Sequence, residues 1–159
     1  MSGMIRPVFL ILAAALASAL SVHAKKKPNV LFIFADDQCF ETIASLGLTD
    51  IETPNLDRLA ASGSTFTRAY NMGSWSGAVC VASRHMLNTG RFLWHANEAS
   101  KKAEQERAAG RFWSENMKKA GYQTYFTGKW HVRASADKCF NVARNVRPGM
   151  PNQTPAGYN

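Results

Sequence analysis

Cys80-Val81-Ala82-Ser83-Arg84 sets a thiol and a guanidinium four residues apart, and Asn88-Thr89-Gly90-Arg91 follows. On a helix that spacing is one turn, so both side chains share a face. The stretch begins where a loop containing Gly73 and Gly77 gives way to helix-compatible residues. A helix start presents unpaired N–H groups and positive dipole, which favour an oxyanion. Cysteines placed there belong to the reactive kind. An isolated cysteine is more often a small buried hydrophobe than a nucleophile. A cysteine-phosphatase loop, Cys-x5-Arg, is excluded because residue 86 is Met.

Two other groups carry chemistry. Asp36 and Asp37 end an apolar run, and adjacent carboxylates repel unless a cation or arginine compensates them. Their hard oxygens suit Ca²⁺ or Mg²⁺, although a solvated pair at a strand end is the ordinary alternative. Lys129 and His131 follow Gly128 and, on extended backbone, project to one side. Together they suit a tetrahedral dianion; separately they read as an exposed lysine and a satisfied histidine.

Positioning these residues requires strands and helices in alternation. Val30–Ala35 reads as a strand buried on both faces. Thr53-Pro54-Asn55 opens a helix with Thr53 as cap and Leu56, Leu59 and Ala60 on its apolar side, ended by Gly63. Residues 64–70 read as a short strand and 71–78 as a loop. Residues 82–87 fit a short helix, and 92–109 read as surface loop with some helix. Residues 112–120 form an amphipathic helix capped by Gly121, and 122–127 a second strand. Residues 145–159 read as a linker rich in Pro, Gly and Asn. The pattern predicts an α/β layer fold with a mostly parallel central sheet flanked by helices.

Composition sets further bounds. Arg6 precedes the apolar run Val8–Leu20, and Val22-His23-Ala24 fits a cleavage site, so residues 1–24 read as a secretory signal peptide. That run is short for a membrane span, and the mature chain is expected to be exported and soluble. Loss of Arg6 lowers the formal charge from +8 to +7. A basic balance suits anionic partners. The charges are scattered, however, and no basic stripe with interleaved aromatics points to nucleic acid. The three cysteines, Cys39, Cys80 and Cys139, make no disulfide framework and no zinc spacing. Whether Cys39 and Cys139 pair stays open.

The Cys80–Arg84 block with Thr89-Gly90-Arg91 resembles the modification signature of the sulfatases, Cys-x-Pro/Ala-Ser-Arg followed by Thr-Gly-Arg. Pro28–Gln38 resembles the family's opening strand, Thr53–Ala60 its next block, and Gly121–His131 its Gly-Lys-x-His block. The resemblance implies an alkaline-phosphatase-like α/β fold. It also implies a sulfuric ester hydrolase whose nucleophile is the hydrated formylglycine made from Cys80 by a maturation enzyme. Asp36, Asp37 and residue 80 would hold Ca²⁺, with Mg²⁺ as the other choice. Arg84, Lys129 and His131 would serve catalysis, the last two also contacting the sulfate. Ala82 stands where the commoner motif has Pro, which leaves the maturation enzyme open.

The resemblance further implies that residues 25–159 are the N-terminal part of a longer catalytic domain. Later segments of the family supply further metal and sulfate ligands, so an isolated chain of this extent is expected to turn over little substrate. The substrate class is a sulfate ester, a sulfated glycan among them. A phosphoester or phosphonate hydrolase on the same scaffold and a non-catalytic sulfated-glycan binder are the rivals.

Overall fold

The computed structural model describes residues 27–149 and the short strands 153–154 and 157–158. The expected signal peptide, 1–24, lies outside the described residues. The chain divides after Ala35 into two units. In the first, residues 27–35 form no hydrogen-bonded strand, and Leu31 and Ile33 are 84% and 74% exposed. The buried strand expected over Val30–Ala35 is therefore not formed. Apolar side chains supply a strand's faces, but its backbone groups need a neighbouring strand, and residues 27–35 contain none. Phe32 and Phe34 instead lie against each other, ring centroids 6.0 Å apart.

The second unit begins with short 3-10 turns at Phe40–Thr42 and Ala44–Leu46. Helix α1 spans Pro54–Ala61, with proline suited to its first turn. Thr53 precedes it but makes no side-chain cap. Its hydroxyl donates to Asp57 Oδ1 (2.9 Å) and accepts the Ala44 N–H (2.8 Å), tying the helix to the preceding turn. The anticipated apolar side stays in solvent, with Leu59 63% exposed. Residues 64–70 form no strand either, and Phe66 and Tyr70 are exposed.

From Val79 the chain becomes helical. Helix α2 (Val79–Thr89) is longer at both ends than expected, and α3 (Leu93–Ser100) and α4 (Ala103–Ala108) take up most of the stretch read as surface loop with some helix. Their inward faces are built from Leu93, Ala96, Ala99 and Ala103, side chains too small to announce an apolar stripe. Glu106, only 2% exposed, is compensated by Arg91 (3.0 Å) and Arg111 (2.6 Å). Helix α5 (Trp113–Lys119) matches expectation.

Strand β1 (Tyr125–Lys129) pairs in parallel with β2 (Val142–Arg147), the one-turn helix α6 (Ala136–Cys139) lying between them in sequence. The parallel pairing agrees with the α/β expectation. The end of β2 and the antiparallel pair β3 (Gln153–Thr154) and β4 (Gly157–Tyr158) lie in the region read as linker. Alternating Arg, Asn and small apolar residues in β2 suit an edge strand and mask its pattern.

The core is aromatic. Phe126 and Phe140 stack at 5.1 Å, and Trp130 meets both edge-on. Phe112, Val132, Ala136 and Cys139 close the cluster. Burial pushes the Cys139 thiol up to about 12, so it acts as a packed hydrophobe. Cys39 is exposed, and both thiols are free. Around this core Glu104 accepts from Arg107 (2.8 Å) and the Ser135 N–H (3.3 Å).

Truncating Phe140→Ala should cost about 3–5 kcal/mol by denaturant titration, since it empties the centre of the ring cluster. The Arg107 hydrogen bonds take Glu104 from its ordinary 4.5 down to about 2. Its contribution is therefore complete above pH 4.5 and lost as pH falls toward 2. Glu104→Gln should flatten the stability loss measured across that interval.

Candidate active site

Cys80 is the second residue of α2, and no side chain caps the helix start. The Val81 N–H turns back to the Ala78 carbonyl (3.1 Å), so the N–H groups an anion could meet there are those of Val79 and Cys80. One turn on, Arg84 lies on the buried face with Ala82, His85 and Asn88. The rest of the motif holds this helix in place. Asn88 Nδ2 donates to the Arg84 carbonyl (2.8 Å), and Thr89 Oγ1 donates to the His85 carbonyl (2.7 Å). Gly90, at φ 64°, takes the left-handed cap that ends the helix. Arg91 turns away to Glu106, so the second guanidinium of the motif is structural.

Lys129 and His131 come from the end of β1. The β1–β2 register slips after Thr127: Thr127 faces Arg144 and Gly128 faces Val146, leaving Asn145 as an extra residue at φ 49°. Gly128 adopts φ 98°, which a side chain would resist. Bulges of this kind re-aim the residues beyond them. His131 itself sits at φ 50°. The extended backbone expected to set Lys129 and His131 side by side therefore ends before His131, and the turn brings both toward α2 by another route.

The groups converge on Asp36. Its Oδ1 accepts from Arg84 (3.1 Å) and its Oδ2 from Lys129 Nζ, while Arg84 also donates to the Lys129 carbonyl. Cys80 Sγ lies 3.2 Å from His131 Nδ1, and its thiol also neighbours Lys129. Cys80, Arg84, Lys129, His131 and Asp36 thus form one constellation. Asp37 is exposed.

Burial opposes the Asp36 carboxylate, but hydrogen bonds from Lys129 and Arg84 outweigh it and lower its pKa. Burial likewise opposes the Lys129 ammonium, and Asp36 outweighs it, raising the pKa. Burial, then the charges of Lys129 and Arg84, push His131 down. His131 is accordingly a neutral imidazole at pH 7, able to accept a proton. An apolar cleft of about 490 Å³ opens beside it, between Trp130, Val132, Ala134, Val146 and Pro148, with Arg133 at its wall.

Asp36 and Asp37 supply hard oxygen donors, a set that fits Ca²⁺ or Mg²⁺ better than a softer metal. They make only part of a shell. Among the described residues no group of three His, Cys, Asp or Glu gathers around one point. Asp36 already has each oxygen engaged by a cation, so a metal there must share it with Arg84 and Lys129.

Sequence reasoning assigned no role to His85. It is fully buried, donates from Nδ1 to the Val81 carbonyl (2.8 Å) and accepts the Arg133 N–H at Nε2 (3.3 Å). A histidine on the buried face of the nucleophile helix was the available signal.

Asp36→Asn should strand two part-buried cations and destabilise by about 3 kcal/mol in thermal or denaturant unfolding. Asp36's share of the pairing is complete above 3.8 and fades as pH falls through its lowered folded value. That of Lys129 is complete below 10.5 and fades as pH rises through its raised value. The difference between the variant and the parent should therefore be greatest between pH 3.8 and 10.5.

Residues 28–147 match the family model described as Sulfatase. The chain is 36% identical over 111 residues to an N-acetylgalactosamine-6-O-sulfatase of Bacteroides thetaiotaomicron, covering 67% of this chain and 21% of that protein. It is 35% identical over 130 residues to arylsulfatase A of Bos taurus, covering 79% and 25%. An ulvan-active sulfatase of Formosa agariphila is 32% identical over 137 residues, covering 84% and 25%. The chain thus spans between a fifth and a quarter of the length of these relatives. No solved structure matches it. The family implies an alkaline-phosphatase-like α/β fold, of which the described residues show a parallel pair with flanking helices. With its signature cysteine, arginine, lysine and histidine gathered around one aspartate, this chain belongs to the sulfatase family.

Proposed function

We propose that the protein carrying this chain hydrolyses a sulfate monoester, with residue 80 as a formylglycine nucleophile made from Cys80. The observation that carries this reading is the placement of Cys80 in the first turn of α2, 3.2 Å from His131 and beside Lys129 and Arg84. The relatives' names, an N-acetylgalactosamine-6-O-sulfatase and an ulvan-active sulfatase, favour a sulfated glycan as substrate. Residues 25–159 are read as the N-terminal part of the catalytic domain, and 1–24 as the signal for export. No helix among the described residues is long and apolar enough to cross a membrane.

Asp36, Asp37 and residue 80 would hold a divalent cation, Ca²⁺ or Mg²⁺, together with ligands from the remainder of the protein. Such an ion, when bound, acidifies a coordinated hydroxyl and polarises a sulfate oxygen. Formylglycine supplies two hydroxyls when hydrated, one to attack sulfur and one whose deprotonation expels sulfate.

The chain's own residues do the rest. Lys129 and Arg84 offer positive charge to the equatorial sulfate oxygens, in a half-buried setting where that charge acts strongly. The α2 start adds N–H donors and dipole. His131, kept neutral by burial and by those two cations, takes the proton from the second hydroxyl. The cleft beside His131 takes the alcohol part of the ester.

The test compares matched aryl sulfate and aryl phosphate esters with the full-length protein. Preferential sulfate turnover is expected, with Lys129→Ala lowering kcat by roughly 10²–10³-fold. Preferential phosphate turnover would move the reading to a phosphoester hydrolase. Binding of sulfated glycan without turnover of either would make it a binding protein.

A further inference from the structure

His85 uses both ring nitrogens while completely buried. Because a backbone N–H can only donate, the hydrogen bond from Arg133 requires Nε2 to accept. Nδ1 must then carry the hydrogen that it gives to the Val81 carbonyl. Burial, and less so the charge of Arg133, disfavour the imidazolium against the Val81 bond, so the ring stays neutral and the two bonds select its tautomer. Trp75 closes the ring's edge at 6.1 Å.

The bond matters because of where Arg133 lies. His131, two residues earlier, holds φ 50°, a conformation that non-glycine residues keep only when neighbours determine it. On the strand side, the Trp130 N–H donates to the Arg147 carbonyl (2.7 Å), and Trp130 Nε1 donates to the Ala134 carbonyl (2.6 Å). Those bonds hold the turn to β2 and to itself. The His85 bond holds it to α2, the helix that carries Cys80.

We propose that His85 is a positioning residue: it pins the turn of His131 to the helix of Cys80 and so sets the approach of His131 to residue 80. The kinetic consequence rests on the sulfatase reading above.

The two amide variants separate the two hydrogen bonds. In His85→Gln, the side-chain carbonyl reaches the place of Nε2 and can accept from Arg133. In His85→Asn, the amide reaches only the place of Nδ1, so it still donates to the Val81 carbonyl but leaves the Arg133 N–H without an acceptor. Both are made in the full-length protein, with kcat expressed per molecule converted at residue 80, as counted by peptide mass. We expect His85→Gln to stay within about threefold of the parent and His85→Asn to fall about 30-fold in kcat, with KM little changed. Equal decreases in the two variants, or a parental kcat in His85→Asn, would overturn the proposal. A decrease that merely follows the melting temperature of each variant would overturn it too.

A second measurement on the unsubstituted protein needs neither variant to fold nor any turnover. With ¹⁵N-labelled histidine, the His85 ring should show an unprotonated Nε2 and a protonated Nδ1. A proton on Nε2 rules out the bond from Arg133 and the proposal with it. If the unsubstituted protein turns over no sulfate ester, the sulfatase reading fails, and the ring tautomer still decides whether His85 accepts from Arg133.

Discussion

One carboxylate holds the site together. Asp36 receives Arg84 from α2 and Lys129 from the end of β1, residues separated from it by 48 and 93 positions in the chain. Two cations brought together in a part-buried place repel, and the anion between them offsets that repulsion. With it, the Lys129 carbonyl also accepts from Arg84, and Cys80 and His131 come within 3.2 Å. The remaining features of the site follow from that closure. Cys80 stands in the first turn of α2, and burial together with the cations beside His131 pushes the pKa of its imidazole down.

A comparison within the molecule shows why this cluster differs from ordinary charge pairing. Glu106 is also nearly buried and also meets several cations, Arg91, Arg111 and Lys102. There the ion pairs run only to arginine and lysine side chains, and they fasten α4 to Arg91 and Arg111 on either side. At Asp36, by contrast, a thiol and a proton acceptor stand next to the cations, and a cleft opens alongside. The same signature thus supplies one arginine to each cluster: Arg84 to Asp36 and Arg91 to Glu106.

What could be read from the sequence was what depends on neighbours in sequence. The spacing of Cys80 and Arg84 is a helical turn, and α2 delivers it. The parallel β/α alternation around β1 was legible because Tyr125–Lys129 follows a helix with a clear cap at Gly121. What depends on distant partners was not. Val30–Phe34 has the composition of a buried strand, yet among the described residues of its unit no strand pairs with it. Helices α3 and α4 were hidden by their alanine-built inner faces, and β2 by its arginines. Lys129 and His131 were expected to meet through extended backbone. They meet instead through a bulge at Asn145 and a left-handed turn at His131, which no local pattern announces. Nor does any pattern indicate that Asp36, expected beside a metal, binds two cationic side chains.

Whether this cluster presents an oxygen nucleophile at position 80, as proposed above, is decided by peptide mass spectrometry on protein from its native host. A peptide spanning residue 80 should be lighter by about 18 Da than the cysteine form, the difference between a thiol-bearing and an aldehyde-bearing side chain. An intact Cys80 thiol throughout the full-length protein would contradict it.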